Sequence, residues 1–351
     1  MLEPAEVTSP ARSRRTRVTA NLLVAGVSLL LSLAAAELVA RRLERFPTPP
    51  FPAARFEALG LVRNTQNFRD FEFSFEKPPG TFRIVALGDS FTEGQGVNFD
   101  DIWPKRLERY LNEYRRVEGV RYEVINLAIS GTSTPRELEI LRERGLAYHP
   151  DLVVIGYCLN DAEDEGVHRI ARVKPHRMFK DYGSSGPVGG WLTRHSALYR
   201  LVIGRLRNAK ISSWTLEYYR TLYRPGYEGW KETRAALKGF GRIKKRQGLP
   251  VVVMLFPLFS WDFDDRYPLK YAHEAVRKAA DAARLPLLDL LPFYRGLDHR
   301  ELEAVPGRDS HPSDVADRIA AQELLVWLDE RGMLPPRPAP RVPPLPLPPP
   351  Y

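Results

Sequence analysis

An apolar, β-branched run, Ile84-Val85-Ala86-Leu87, stops abruptly at Gly88-Asp89-Ser90. No other stretch constrains the fold as much. A buried strand that ends in small polar residues, with helical periodicity soon after, fits an open α/β sheet. In such sheets ligands bind beyond the carboxyl ends of the strands. A serine at that turn can be held with its hydroxyl free to attack. Asp and Ser at a strand-to-helix turn also serve as plain turn formers and helix caps. The tripeptide alone leaves both readings open.

The pattern recurs along the chain. Apolar runs predict strands over 83–87, 122–127, 152–155, 251–256 and 285–290. Apolar residues at helical spacing predict helices over 103–115, 135–144, 191–207, 227–246, 273–283 and 315–328. Strands alternating with helices predict an α/β fold with about five parallel strands and helices on both faces.

Later strand ends add further polar groups. After the second comes Ala128-Ile129-Ser130-Gly131, where Gly131 lets the backbone approach a ligand and present its N–H. After the third comes Gly156-Tyr157-Cys158-Leu159-Asn160-Asp161, where Asn160 either aims an amide at a ligand or caps a helix. Before the last helix comes Gly307-Arg308-Asp309-Ser310-His311-Pro312, which reads as a loop carrying an acid two residues ahead of a histidine. Acyl transfer by a serine needs a nucleophile, a base, an acid that orients the base, and donors for the oxyanion.

The order Gly-Asp-Ser, Gly, Gly-x-x-x-Asn-Asp, then Asp-x-His-Pro resembles the SGNH (GDSL) hydrolase family, over about residues 82–330. The resemblance implies a three-layer α/β/α, flavodoxin-like fold and ester hydrolysis with neither metal nor organic cofactor. It assigns Ser90 as nucleophile and as a backbone oxyanion donor. Gly131 N–H and the Asn160 side chain complete the oxyanion hole. His311 is the base and Asp309 its orienting acid. Three departures stand out. Phe91 follows Ser90 where the family has leucine. Tyr157-Cys158-Leu159 makes the third block longer than the family's commonest spacing. The acid lies two residues before His311, and Arg308 occupies the place three before, so a backbone carbonyl is an alternative partner for the imidazole.

Segments outside this span have their own signatures. Residues 1–18 form a basic tail carrying Arg12, Arg14, Arg15 and Arg17. Residues 19–42 are apolar enough for a transmembrane signal anchor, for a signal peptide cut near Ala34-Ala35-Ala36, or for a buried or peripheral helix of a cytosolic protein. The arginines ahead of the segment favour an inside N-terminus. The first two readings place residues 81–332, the expected hydrolase domain, outside the cytoplasm. Residues 43–80 read as a proline-stiffened linker and entry segment, and 333–351 as an extended proline-rich tail.

A basic, aromatic insertion spans about 165–248. Across 168–250 there are 19 Lys or Arg against 4 acidic residues, interleaved with Tyr199, Trp214, Tyr218, Tyr219, Tyr223, Tyr227 and Trp230. They read either as solvated helix faces with aromatic core contacts or as a surface for anionic glycan or lipid headgroups. Gly183–Gly190 reads as a loop.

The net charge of +9 admits a polyanionic or membrane partner, but nothing points to nucleic acid. A single cysteine, Cys158, excludes an intrachain disulfide and a cysteine-pair metal site, and the seven histidines show no metal-ligand spacing. The expectation is a membrane-tethered serine esterase that cleaves an acyl ester, an acetyl ester among the candidates, on a glycan or lipid. Two alternatives are an O-acyltransferase acting on a cell-envelope glycan and a non-catalytic glycan- or partner-binding protein.

Overall fold

A computed structural model describes residues 12–44, 62–164, 187–306 and 309–337. The basic tail up to residue 11, residues 45–61, residues 165–186 of the insertion, Gly307-Arg308 and the proline tail from 338 onward lie outside the described residues. The chain divides into two compact units, Met1–Pro50 with Lys174–Ser212, and Phe51–Val173 with Ser213–Tyr351.

The larger unit is built on a five-stranded sheet of β1 (Thr81–Gly88), β2 (Arg121–Asn126), β3 (Leu152–Tyr157), β4 (Val251–Leu255) and β5 (Leu287–Asp289). Their order is β2-β1-β3-β4-β5, and every neighbouring pair is parallel. This is the flavodoxin-like order, which reverses direction between β1 and β3 and opens a crevice there. Ile84–Leu87, Leu152–Ile155 and Val251–Leu255 have no exposed surface. Strands covered on both faces read as unbroken apolar runs, which is why they were legible.

Helices α2 (Ser90–Glu93), α3 (Trp103–Glu113) and α4 (Thr134–Glu143) follow the first two strands. Further along come α7 (Glu228–Gln247), α8 (Lys270–Ala282) and α9 (Asp314–Glu330). Helix α3 packs against α9, while α7 packs against both α4 and α8, so the sheet lies between two helical layers. In α3, Leu107, Tyr110 and Leu111 are buried at helical spacing, and Pro104 starts the helix where its missing N–H costs nothing. Ser313 caps α9 by accepting from Ala316 N–H.

The smaller unit contains α1 (Arg12–Glu44), α5 (Pro187–His195) and the first part of α6 (Ala197–Leu222). Within α1, Arg17–Leu43 is long and apolar enough to cross a membrane, which suits an anchor or a signal sequence.

Several elements differ from expectation. The helix expected over 191–207 is two helices that part at Ser196, and the second continues to Leu222. Residues 187–190, expected as loop, form the first turn of α5. The fifth strand is shorter, Leu287–Asp289. The expected helix 227–246 is α7, which buries Trp230, Leu237 and Phe240 in the core. Tyr219 and Tyr223 are also core, so three of the insertion's interleaved aromatics face inward rather than toward a ligand.

The segment before β1 carries structural weight without regular structure. Arg83, buried in β1, pairs with Glu123 of β2 at 2.7 Å and donates to the carbonyls of Phe75 and Tyr148. Asp70, fully buried, accepts from Lys105 Nζ at 2.8 Å and from Asn126 N–H at 2.7 Å. Lys105 also donates to Val124 O at 2.6 Å. Removing one member of such a pair strands the other charge. Lys105→Met should therefore cost about 3–5 kcal/mol in urea unfolding, and Asp70→Asn with Lys105→Met should recover much of it. A cost near zero for the single variant would show that the pair does not hold the segment.

Candidate active site

The sheet brings together residues that the sequence keeps far apart. Ser90 opens α2 at the carboxyl end of β1. Gly88, at φ +153°, allows the strand to turn there, and a Cβ on it would overlap Thr92 and lie 2.8 Å from Gly156 O. A Cβ on Gly156 of β3 would overlap Thr92 as well. Two glycines on adjacent strands thus leave the notch in which Thr92 sits, and this seats α2 at the crevice.

Asp89 caps α2. It is fully buried and accepts from Phe91 N–H at 2.9 Å. Its Oδ2 accepts from Asn160 Nδ2 at 3.0 Å and lies 3.3 Å from Ser90 Oγ. Burial pushes its carboxyl up, partly offset by these hydrogen bonds. Asn160 stands on a 3₁₀ turn, Leu159–Ala162, that absorbs the longer spacing of the third motif. Asp161 closes that turn by accepting from Cys158 N–H at 3.2 Å. An amide has two N–H hydrogens, so Asn160 keeps a second donor beyond the one given to Asp89.

His311 arrives from the other end of the chain. It lies on β7 (Asp309–Pro312), which pairs antiparallel with β6 (Glu303–Val305), rather than in the expected loop. Its Nε2 is 2.9 Å from Ser90 Oγ, across 221 residues of sequence. Its Nδ1 is hydrogen-bonded to Asp309 Oδ1, and Asp309 also accepts from His311 N–H at 3.2 Å. The carboxylate, not a backbone carbonyl, is therefore the imidazole's partner. The Ser90 hydroxyl lies closer to His311 than to Asp89, and both Asp89 oxygens already accept from N–H donors. Both His311 Nε2 and Asp89 Oδ2 are within hydrogen-bonding reach of the hydroxyl.

Gly131 lies on a loop clamped from two sides. Ile129 N–H donates to Gly88 O at 3.1 Å, and Thr132 Oγ1 to the same oxygen at 3.3 Å. Ser130 donates through N–H to Glu93 Oε2 at 2.9 Å and also through its hydroxyl. Gly131 itself has φ +76°, a backbone conformation that favours glycine. The clamps tie this loop to Gly88 at the end of β1 and to Glu93 of α2.

Three residues near the centre escaped sequence reading. The Phe91 ring packs on the His311 imidazole with centroids 5.4 Å apart, and on Phe256 and Phe259. The departure from leucine at that position thus supplies a shelf for the imidazole. Gln95 Nε2 lies 3.4 Å from His311 Nδ1, and its side chain hydrogen-bonds Asp309. Glu93 is held by Arg63 at 2.6 Å while it clamps the Gly131 loop. The available signal was proximity, since all three lie within five residues of Ser90. Among the described residues, no cluster of three or more His, Cys, Asp or Glu side chains is placed to hold a metal ion.

A serine hydroxyl on an imidazole whose other nitrogen meets a carboxylate is an arrangement suited to nucleophilic attack under general-base assistance. Burial raises the Asp309 carboxyl, but the hydrogen bond and charge of His311 and a hydrogen bond from Gln95 outweigh it and hold the group below its usual value. A lowered carboxyl contributes stability that is present above the unfolded value and is lost as pH falls through the native one. The stability gap between the natural chain and Asp309→Asn should be full at about pH 6 and close in acid below the ordinary Asp value. Urea midpoints across that range check it, and a gap independent of pH would contradict it.

A family model described as GDSL-like lipase/acylhydrolase matches residues 86–319. Comparison with curated proteins gives no match. Among solved structures, a two-domain esterase active on acetylated mannans is 14% identical with TM-score 0.44, covering 75% of this chain and 53% of its own. The chain thus spans about half the length of that esterase. A psychrotrophic esterase from Pseudoalteromonas sp. is 16% identical with TM-score 0.41, covering 71% of this chain and 97% of its own. A lipase/acylhydrolase from Enterococcus faecalis is 17% identical with TM-score 0.42, covering 74% of this chain and 100% of its own.

Proposed function

The chain belongs to the GDSL-like lipase/acylhydrolase family and is an ester hydrolase, and from that premise we propose that Ser90, His311 and Asp309 carry the hydrolysis of an acyl ester outside the cytoplasm. The observation that carries the proposal is the 2.9 Å approach of Ser90 Oγ to His311 Nε2. Ser90 Oγ attacks the ester carbonyl while His311 Nε2 takes its proton. Asp309 holds Nδ1–H and stabilises the imidazolium that forms. The tetrahedral oxyanion is met by Ser90 N–H, Gly131 N–H and the second Asn160 amide hydrogen. Collapse breaks the carbonyl–alkoxy bond, and the alcohol leaves with the proton from His311. Water, deprotonated by His311, then splits the acyl-serine and frees the acid and Ser90.

In this reading α1 is a membrane anchor, and the arginines ahead of its apolar run keep the N-terminus inside. The hydrolytic reading is favoured over transfer to a glycan because Tyr219, Tyr223 and Trp230, part of the case for a glycan acceptor, lie in the core. The substrate class is an acyl ester, with acetyl esters the first to assay.

The test uses the full chain in detergent with p-nitrophenyl acetate and longer esters. Ser90→Ala should lower turnover by about 10³-fold or more. Asn160→Ala should lower it by roughly 10²–10³-fold. Wild-type rates in Ser90→Ala would overturn the assignment. Faster acyl-enzyme turnover with an added glycan, and no free acid, would establish transfer instead.

A further inference from the structure

The smaller unit contains a contact that hydrolysis does not use. Residues 18–36 of α1 carry no charge, and at about 1.5 Å per residue they are roughly 28 Å long, close to one hydrocarbon thickness. Glu37 is the first charged residue beyond them, so it marks the edge of the apolar layer. Its carboxylate does not point idly to solvent. It accepts from Ser196 Oγ at 2.8 Å, Ala197 N–H at 2.9 Å and Leu198 N–H at 3.0 Å, and so caps α6. One turn on, Arg41 donates to His195 O at 2.8 Å. Ala40 and Ala197 are buried, and small residues here let the backbones approach.

These bonds fix the junction of α5 and α6 at the level where the apolar run ends. The elements that leave this junction have the composition of a membrane interface. Val188 and Trp191 lie three apart on α5 and are 71% and 57% exposed. Val202 and Leu206 lie four apart on α6 and are also exposed. Residues 187–216 include five Lys or Arg and no Asp or Glu. Arg194 and Arg205 are exposed. Exposed tryptophan and aliphatic side chains beside cations, tethered at the end of a span, suit the headgroup layer and are costly in bulk water.

We propose that α5 and the first half of α6 are a lipid-binding element that lies in the headgroup layer and takes anionic phospholipid headgroups, with Glu37 as its positioning residue. Val188, Trp191, Val202 and Leu206 enter the acyl boundary. Arg194 and Arg205 meet the phosphates. The proposal rests on the reading of α1 as a membrane anchor. It adds a second attachment, which fixes how the chain sits on the bilayer rather than whether it is held there.

The experiment reconstitutes the full chain in phosphatidylcholine vesicles, with and without phosphatidylglycerol at about a third of the lipid. Brominated lipids then quench tryptophan emission on contact. None of the six tryptophans lies in α1, so the anchor itself is silent. Trp191→Phe should reduce the quenched share at least about twofold, since it removes the probe from the apolar layer. Phosphatidylglycerol should raise quenching in the natural chain and not in Arg194→Gln with Arg205→Gln. Both variants should hydrolyse p-nitrophenyl acetate at the wild-type rate, which shows them folded. If one fails to fold, the other decides. Quenching unchanged in Trp191→Phe, or indifferent to phosphatidylglycerol in the natural chain, overturns the proposal while the anchor stands. Release of the chain from vesicles by alkaline carbonate overturns both. Binding to polygalacturonate with no response to phosphatidylglycerol assigns the arginines to glycan and also overturns the proposal.

Discussion

The buried carboxylate of Asp89 ties the end of β1 to the turn after β3. It takes Phe91 N–H on one oxygen and the Asn160 amide on the other. Without it, α2 has no cap and Asn160 has no fixed orientation, so the serine and the amide would move independently. Thr92 completes the union sterically by filling the notch that Gly88 and Gly156 leave open. The crevice at the reversal of strand order is a consequence of topology. Its precision is a consequence of these few contacts, because an oxyanion site misplaced by an ångström loses most of its effect.

Support reaches the site from outside the sheet. Arg69 donates to the carbonyls of Glu93 at 3.1 Å and Val97 at 2.7 Å, and so holds the chain that leaves α2. Asn126, at the end of β2, donates to Thr92 O at 3.2 Å and accepts from Ala128 N–H at 3.1 Å. Asp70 anchors Asn126 through its N–H. The irregular segment before β1 therefore acts as a brace behind the serine. It is buried through charges and polar atoms, which is why apolar periodicity gave no sign of it.

The His311 side is held differently. A two-stranded ribbon of seven paired-strand residues, Glu303–Val305 and Asp309–Pro312, is short for independent stability. It is fixed by its contacts: Ser313 N–H on Leu302 O at 2.8 Å, Ser313 Oγ on Glu301 O, and Phe91 under the imidazole. The histidine's position thus depends on the residue next to the serine, which couples the two halves of the site through packing as well as through the Ser90–His311 hydrogen bond.

The strands, most of the helices and the candidate groups Ser90, Gly131, Asn160, His311 and Asp309 were legible because each depends on local chemistry. Apolar runs covered on both faces, helical spacing, and polar or glycine residues at strand ends are written into short windows of sequence. The sequence by itself determined which side chains stand at the carboxyl ends of a parallel sheet. Only the tertiary structure decided which of them meet, because the β6–β7 ribbon, outside the parallel sheet, brings His311 to Ser90 across 221 residues. The same holds for Phe91 beneath the imidazole, for Glu93 on the Gly131 loop, and for Glu37 capping a helix about 160 residues away. Hydrogen bonds and ring contacts act over a few ångströms of space, and chain separation leaves no periodic trace of them.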